Sequence, residues 1–345
     1  MLGAFGLNSS IYDASNLGWK LGLCVRNLAN PSSLLPTYDQ ERRLFANRVI
    51  RCSGTYLRYL CKSSVPLAEL RGLGEEPEIH QDNIPILDRT VESDRIFLQA
   101  FFKRNANFLL GIECPIVPSP ICATRNSEDE QQPTTIENGA RAPNPRVCFD
   151  LGITSYLYDK MMGSSRFHIL VFCSDLQGPV REQLKLFSKQ SFSSQGFYNL
   201  YGGSEMFNVV LIFKGLPHEI DDLILDDSDL AALKQQASIV FDDRAPDEDA
   251  HYWYGINHAR GGVVVVRPDL WVGTSIWPEQ SALLRDYFGG FLIEIAKTQA
   301  LKPEKRSKIS TRPQSPCNAQ QTYQVGQNAM MGGARHRCVS NGEGD

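Results

Sequence analysis

The residues best placed to do chemistry stand at the start of the chain, in Gly3-Ala4-Phe5-Gly6-Leu7-Asn8-Ser9-Ser10. Glycines let backbone approach a ligand closely, and the first-turn N–H groups of a helix that follows have no acceptor of their own. Such a stretch suits a negatively polarised ligand edge, for instance the N1–C2=O side of an isoalloxazine ring, which gathers charge on reduction. Asn8 has two readings here: a side-chain amide matched to the ring's donors and acceptors, or an N-cap. The spacing alone does not choose between a ligand loop and an ordinary helix start.

Other reactive residue types form weaker patterns. The nine cysteines include no C-x-x-C pair, so neither a disulfide framework nor a structural zinc site is signalled. Cys173 ends an apolar run where a dithiol would begin, yet Leu176 holds the second position, which leaves core or strand-end filler as its reading. The six histidines show no paired spacing, and no metal ligand set is expected. Glu219, Asp221, Asp222, Asp226, Asp227 and Asp229 lack the spacing and glycine of an EF-hand loop and read as a solvated surface. Tyr252, Trp253 and Tyr254 read as core or interface.

These groups need elements to position them. Residues 9–29 form an amphipathic helix with Ala14, Leu17, Leu21, Cys24 and Leu28 on its apolar face, opposed by Asp13, Asn16, Lys20 and Asn27. Asn30-Pro31 ends it, and a second helix runs from about Leu34 to Cys61. Residues 64–121 have mixed periodicity, with a helix around Ile96 to Phe102. Residues 123–146 are polar, acidic and proline-bearing, which predicts a flexible linker or surface excursion and a domain boundary. After it come a strand at 166–173, a helix at 179–189 with Val180, Leu184 and Phe187 in register, and a strand at 207–213. A helix at 229–236, a strand at 238–241, a short helix near 249–256 and a hairpin of 262–267 with 270–274 follow. A last helix from Pro278 to about Ala296 places Ala282, Leu283, Tyr287 and Leu292 on or near one face. This is the thioredoxin-like order of elements, and strands apolar on both sides fit a sheet covered by helices on both faces. Disorder is expected from about Ala300 to Asp345.

Bulk properties exclude some partners. The 345 residues carry a formal net charge of -4, with 42% hydrophobic residues and no broad basic surface for a phosphate backbone, so nucleic acid is not expected. No apolar run approaches the roughly 18 residues a membrane span needs, and no signal peptide opens the chain. An intracellular, cytoplasmic protein is the expectation.

The stretch GAFGLNSSIYDASNLGWKL, residues 3–21, resembles the end of the flavin-binding domain of FAD-dependent aromatic-ring monooxygenases of the phenol 2-monooxygenase and para-hydroxybenzoate hydroxylase type. Gly6, Leu7 and Asn8 match that family's G-x-G-[LM]-N loop. Asp13, Asn16, Leu17, Trp19, Lys20 and Leu21 match its D-x-x-N-L-x-W-K-L helix, and Tyr38, Glu41 and Arg42 its Y-x-x-E-R signature. Arg267-Pro268-Asp269 and Trp271-Val272-Gly273 are similar to its R-P-D-G-Y-V hairpin, whose role is structural.

The resemblance implies FAD as cofactor with Gly6, Leu7 and Asn8 at the ring, NAD(P)H as co-substrate, an aromatic small molecule as substrate, and a homo-oligomer. It implies an α/β chain in which a mainly helical remnant of a Rossmann-like FAD-binding domain precedes a thioredoxin-like domain. The expected divisions are 1–70 for the end of the FAD-binding domain, 71–146 for a connecting region and linker, 147–298 for the thioredoxin-like dimerisation-type domain, and 299–345 for the tail. The family's G-x-G-x-x-G turn is not found in these residues, nor its G-D segment ahead of Gly3. The expectation is therefore a truncated monooxygenase chain that is not active alone, with no catalytic acid or base to name. The alternative is a non-catalytic association module.

Overall fold

The computed structural model describes residues 5–60, 91–111, 116–124, 132–150, 153–163, 165–174, 176, 178–215, 217, 228–243 and 249–295. All of them fall in one compact unit, Met1–Lys302. The acidic stretch from Glu219 to Asp227 and the tail from Ala300 lie outside the described residues. No described helix is long and apolar enough to cross a membrane.

Helix α1 spans Phe5–Val25. Past its end, Asn27 takes a left-handed φ of 55°, which asparagine tolerates. Asn30 then caps α2, Pro31–Leu34, by accepting from the Ser32 N–H, and Pro31 sits at the first helical position, where its missing donor costs nothing. α3 is Pro36–Leu60 and α4 is Val91–Leu109. Phe45 and Phe108 join them, with ring centroids 5.2 Å apart. The predicted helix at Ile96 to Phe102 is thus the middle of a longer one.

The remaining elements build a mixed α/β layer around one seven-stranded sheet. Its strands are β1 Arg146–Asp150, β2 Ile153–Tyr156, β3 Phe167–Ser174, β4 Phe207–Lys214, β5 Ala237–Asp242, β6 Gly262–Val266 and β7 Val272–Ile276. They lie in the order β2-β1-β5-β4-β3-β6-β7. β3, β4 and β5 are parallel, and the outer pairs are antiparallel. Helices α5 Val180–Ser191 and α6 Phe197–Leu200 connect β3 to β4, and α7 Ser228–Gln236 precedes β5. α8 Ala250–Trp253 and α9 Ala282–Gly289 follow.

Alternate residues of β3 serve opposite faces. Phe167, Ile169 and Val171 meet Trp19 and Leu23 of α1, Leu184 of α5 and Phe288 of α9. Leu170 and Phe172 point the other way, to Leu157, Ala142 and Tyr254. That second face is covered by residues 136–142, the 3-10 turn Leu157–Lys160 and the short α8, where helices were expected on both sides.

Four further expectations change. The buried side of α1 is Asn16, Trp19, Lys20 and Leu23, while Ala14 and Leu21 are exposed and Leu17, Cys24 and Leu28 are half-buried, so the face assigned from hydropathy is rotated. Residues 132–146, expected within a flexible linker, lie along the β6–β7 hairpin: Ala142 N–H donates to Leu270 O, and Thr135 N–H to Gly255 O. Main-chain pairing holds them, and that is invisible in a polar sequence. α9 stops at Gly289 and buries Leu284 and Phe288, whereas Leu283 is exposed. The β1–β2 hairpin was not anticipated at all.

Candidate functional site

Gly6, Leu7 and Asn8 lie inside the first turns of α1, which begins at Phe5, and not in a loop ahead of it. All three are exposed, Leu7 by 70%. Asn8 is therefore not an N-cap. The first four N–H groups of a helix have no intrahelical acceptor, and the helix dipole makes this end electropositive. Backbone donors with a side-chain-free Gly6 and an apolar Leu7 fit one edge of a flat, negatively polarised ring. They offer nothing for a pyrophosphate or an adenosine.

A stripe of exposed apolar and small residues continues down the same helix: Leu7, Ile11, Ala14, Gly18, Leu21 and Val25, the last 80% exposed. The alternating spacing of four and three keeps them on one side. α1 therefore buries Asn16 and Lys20 together with Trp19 and Leu23 and leaves this apolar stripe exposed.

The buried polar face is paired. Lys20 Nζ donates to Asn16 Oδ1 at 2.8 Å and to Glu41 Oε2 at 3.2 Å. Asn16 Nδ2 donates to Glu41 Oε2 at 2.6 Å and reaches Asp269 Oδ2 at 3.2 Å. Arg267 closes the cluster, donating to Glu41 at 2.5 and 3.0 Å and to Asp269 at 2.9 and 2.6 Å. Two cations meet two carboxylates, so the cluster is neutral, and the bidentate Arg geometry is the strong form of such pairs. Burial alone would raise the Glu41 carboxyl, but the Arg267 guanidinium and the Lys20 ammonium hold it at about 2. Burial lowers the Lys20 ammonium to about 8 against the pull of Glu41. A small cleft opens onto this cluster beside Tyr12, Ser15, Arg42 and Trp271. At its rim Arg42 Nε donates to Asp13 Oδ1 at 2.5 Å. The residues singled out in three separate sequence motifs thus converge at one point between α1, α3 and the β6–β7 turn. What the sequence withheld was that they touch; Asn16 and Lys20 one turn apart, flanking Trp19, was the available signal.

Residues 117–296 match the family model described as phenol hydroxylase, C-terminal dimerisation domain. The chain belongs to that family. Residues 2–53 match a second model, an FAD binding domain. An FAD-dependent monooxygenase of Aspergillus terreus is 58% identical over 90% of this chain and 43% of its own length. Phenol 2-monooxygenase fsqG of Aspergillus fumigatus is 22% identical over 88% of this chain and 47% of its own. The chain spans less than half the length of these curated relatives. Among solved structures, a putative electron transfer protein from Aquifex aeolicus VF5 matches over 44% of this chain and 96% of its own, at 14% identity and a TM-score of 0.34. The neutral cluster accordingly joins the FAD-binding match, through Asn16, Lys20 and Glu41, to the dimerisation domain, through Arg267 and Asp269.

The dimerisation domain holds a second buried polar group. Asp242, Asp249 and His251 bring ligand-type atoms within 4.8 Å of one another. Their capacity is already used. Asp242 accepts from the N–H groups of Ala250 and His251 at 2.9 Å and pairs with His251 Nδ1 at 2.6 Å. Lys214 Nζ bonds to Asp249 Oδ2, and the Ser174 N–H points at His251 Nε2 at 3.2 Å. That pattern defines the neutral tautomer with its proton on Nδ1. Burial lowers the His251 imidazole below its ordinary value against the pull of Asp242. Cys173 is fully buried in β3, and burial pushes its thiol far above the usual range, so it is core, as the sequence suggested. Of the aromatic trio, Tyr254 is core and donates to Pro143 O, while Tyr252 and Trp253 are exposed.

Proposed function

We propose that these residues form the C-terminal portion of an FAD-dependent monooxygenase that hydroxylates a phenolic or related aromatic compound with NAD(P)H and O2, as a homo-oligomer joined through residues 147–298. The observation that carries the reading is α1: first-turn donors at Gly6, Leu7 and Asn8 and an exposed apolar stripe lie on one helix, inside the FAD-binding match. The donors would meet the N1–C2=O edge of the ring, and the stripe is the face on which the rest of a flavin-binding fold packs. Bound FAD would supply the oxygen chemistry; the chain's own share is to place the ring edge and exclude water around it. No acid or base is assigned. We read the sheet as thioredoxin-like, with β3-α5-β4 parallel, β6 and β7 antiparallel beside β3, and α9 behind them.

The 345 residues alone do not hold FAD in this reading, because a few backbone hydrogen bonds, each worth about 0.5–1.5 kcal/mol net, are too little for a ligand of that size. The test is to fuse the part of the Aspergillus terreus relative outside the matched region to this chain and to compare it with the chain alone after gel filtration. The expected result is a colourless chain, and a yellow fusion whose NAD(P)H oxidation is stimulated by phenols. A chain that retains flavin unaided, or a folded fusion that retains none, overturns the proposal.

A further inference from the structure

We propose that Asn16 and Asp269 are positioning residues for the flavin ring: their hydrogen bond, made from the FAD-binding match to the dimerisation domain, aims the first turn of α1. The inference rests on the reading of Gly6, Leu7 and Asn8 as the ring contact and names what holds that contact in place.

α1 carries its first-turn donors at the end of a lever. From Gly6 to Ser15 no residue is buried; Asn16 is. At 1.5 Å of rise per residue, the stretch from Gly6 to Asn16 spans about 15 Å, so a swing of about 10° at Asn16 moves Gly6 by about 2.6 Å. A binding constellation has to be held within about 0.5 Å. Trp19 and Leu23 seat the following turns on the sheet, which leaves Asn16 as the buried contact nearest the ring.

Toward α3 the lever is steadied by Arg42 on Asp13 and by Tyr12 against Phe45, with ring centroids 6.1 Å apart. Toward the hairpin lies the small cleft, lined from α1 by Tyr12, Ser15 and Asn16 and from the hairpin by Asp269 and Trp271, so side-chain packing does not fix the helix on that side. Asn16 crosses the gap. Its Nδ2 has two hydrogens and two acceptors, Glu41 Oε2 at 2.6 Å and Asp269 Oδ2 at 3.2 Å, while its Oδ1 accepts from Lys20. Asp269 does not follow a moving helix: Arg267 Nε and Nη2 clamp its two oxygens at 2.9 and 2.6 Å, in the turn between the paired strands β6 and β7. Two acceptors on two separate elements fix the rotation of α1 at this level, where Glu41 alone would leave a pivot.

The fusion with the rest of the Aspergillus terreus relative carries the test, in the forms Asn16→Ala, Asp269→Asn, both together, and Gly261→Ala. Asn16→Ala leaves Arg267 both of its carboxylates and Lys20 its bond to Glu41. Gly261→Ala strains the same domain away from the cluster and serves as the stability control. The readout is the two-electron midpoint potential of the bound flavin, because donors aimed at the N1–C2=O edge favour the reduced ring. Asn16→Ala and Asp269→Asn should each weaken the preference for reduced over oxidised flavin at least about tenfold, a potential about 30 mV more negative. The double variant should shift no further than the larger single, since one bond is removed in each, and Gly261→Ala should match wild type. Flavin lost from both single variants but retained by Gly261→Ala is the same result in stronger form. Unchanged potentials, an additive double, or an equal shift in Gly261→Ala overturns the inference and leaves the flavin reading standing. A wild-type fusion without flavin overturns both. The 345-residue chain gives a second readout that needs no flavin: hydrogen exchange at the amides of residues 9–15 should be at least about tenfold faster in Asn16→Ala than in wild type. Unchanged exchange there overturns the positioning role, and Asn16→Ala decides alone should Asp269→Asn not fold.

Discussion

Arg267, just past β6, donates from Nη1 and Nη2 to the two carboxylate oxygens of Glu41 in α3, 226 residues earlier in the chain, at 2.5 and 3.0 Å. Both side chains are buried. The pair ties the helices of the FAD-binding match to the hairpin of the dimerisation domain, so α3 and the sheet are held in one geometry.

Breaking that pair should be severe. Glu41→Gln leaves Arg267 buried with only Asp269, and Arg267→Met leaves Glu41 with Lys20 and Asn16. Loss of one partner of a buried pair costs about 3–5 kcal/mol, mostly from the charge left uncompensated. Urea unfolding of both single variants should show it, and the double variant Glu41→Leu with Arg267→Met should lose less than the two singles combined. Single variants within about 1 kcal/mol of wild type would refute the pairing.

Acid stability should depend on His168. It is fully buried in β3, its Nδ1 lies 3.0 Å from Asn208 Nδ2, and burial, with the nearby Arg166, lowers it to about 4. Above its ordinary value of 6.5 the ring is neutral folded or unfolded, and it adds no pH dependence. Between 6.5 and about 4 the unfolded chain takes up the proton while the folded one does not, so stability falls as pH drops, by up to about 3 kcal/mol. Urea titrations at several pH values should give a shallower acid loss in His168→Leu than in wild type. Equal slopes would show that His168 takes up its proton in the fold at the same pH as in the unfolded chain.

How far the sequence revealed this arrangement depended on whether partners were local. β3 and β4 were legible because Phe167 to Cys173 and Phe207 to Phe213 are apolar on both faces, a pattern that a central parallel strand needs. The inward face of α1 was not legible: hydropathy counts Lys20 and Asn16 as solvent-facing, and only Glu41, Arg267 and Asp269, distant in sequence, make their burial tolerable. The same distance hid the fold of residues 132–146, whose bonds run to Leu270, Val272 and Gly255. Gly6 and Asn8 were read as a loop from glycine's freedom and the match to G-x-G-[LM]-N, yet both sit in α1.

Gly261 is a position where the backbone demands glycine. Its φ is +68°, and a Cβ there would stand 2.5 Å from the carbonyl oxygen of Phe172 and 3.2 Å from Val180 Cγ1. The carbonyl belongs to β3, which is paired on both sides and cannot move aside. Gly261→Ala should therefore lose at least about 2 kcal/mol from combined left-handed strain and overlap. Thermal and urea unfolding would measure it, and a loss under about 0.5 kcal/mol would mean that the turn before β6 adopts another conformation.

The exposed stripe of α1 leads to a prediction with two opposite readouts. Ile11 and Val25 are 58% and 80% exposed, so Ile11→Glu with Val25→Glu should change the unfolding free energy of the 345-residue chain by no more than about 0.5 kcal/mol. In the fusion that supplies the rest of a flavin-binding fold, the same two carboxylates would be placed against apolar surface without partners, where desolvation is costly. Flavin retention by the fusion should then be lost while its oligomeric state is unchanged. A fusion that keeps its flavin with both glutamates in place would show that the stripe faces solvent in the assembled protein, and that the FAD-binding half meets α1 only at its first turn.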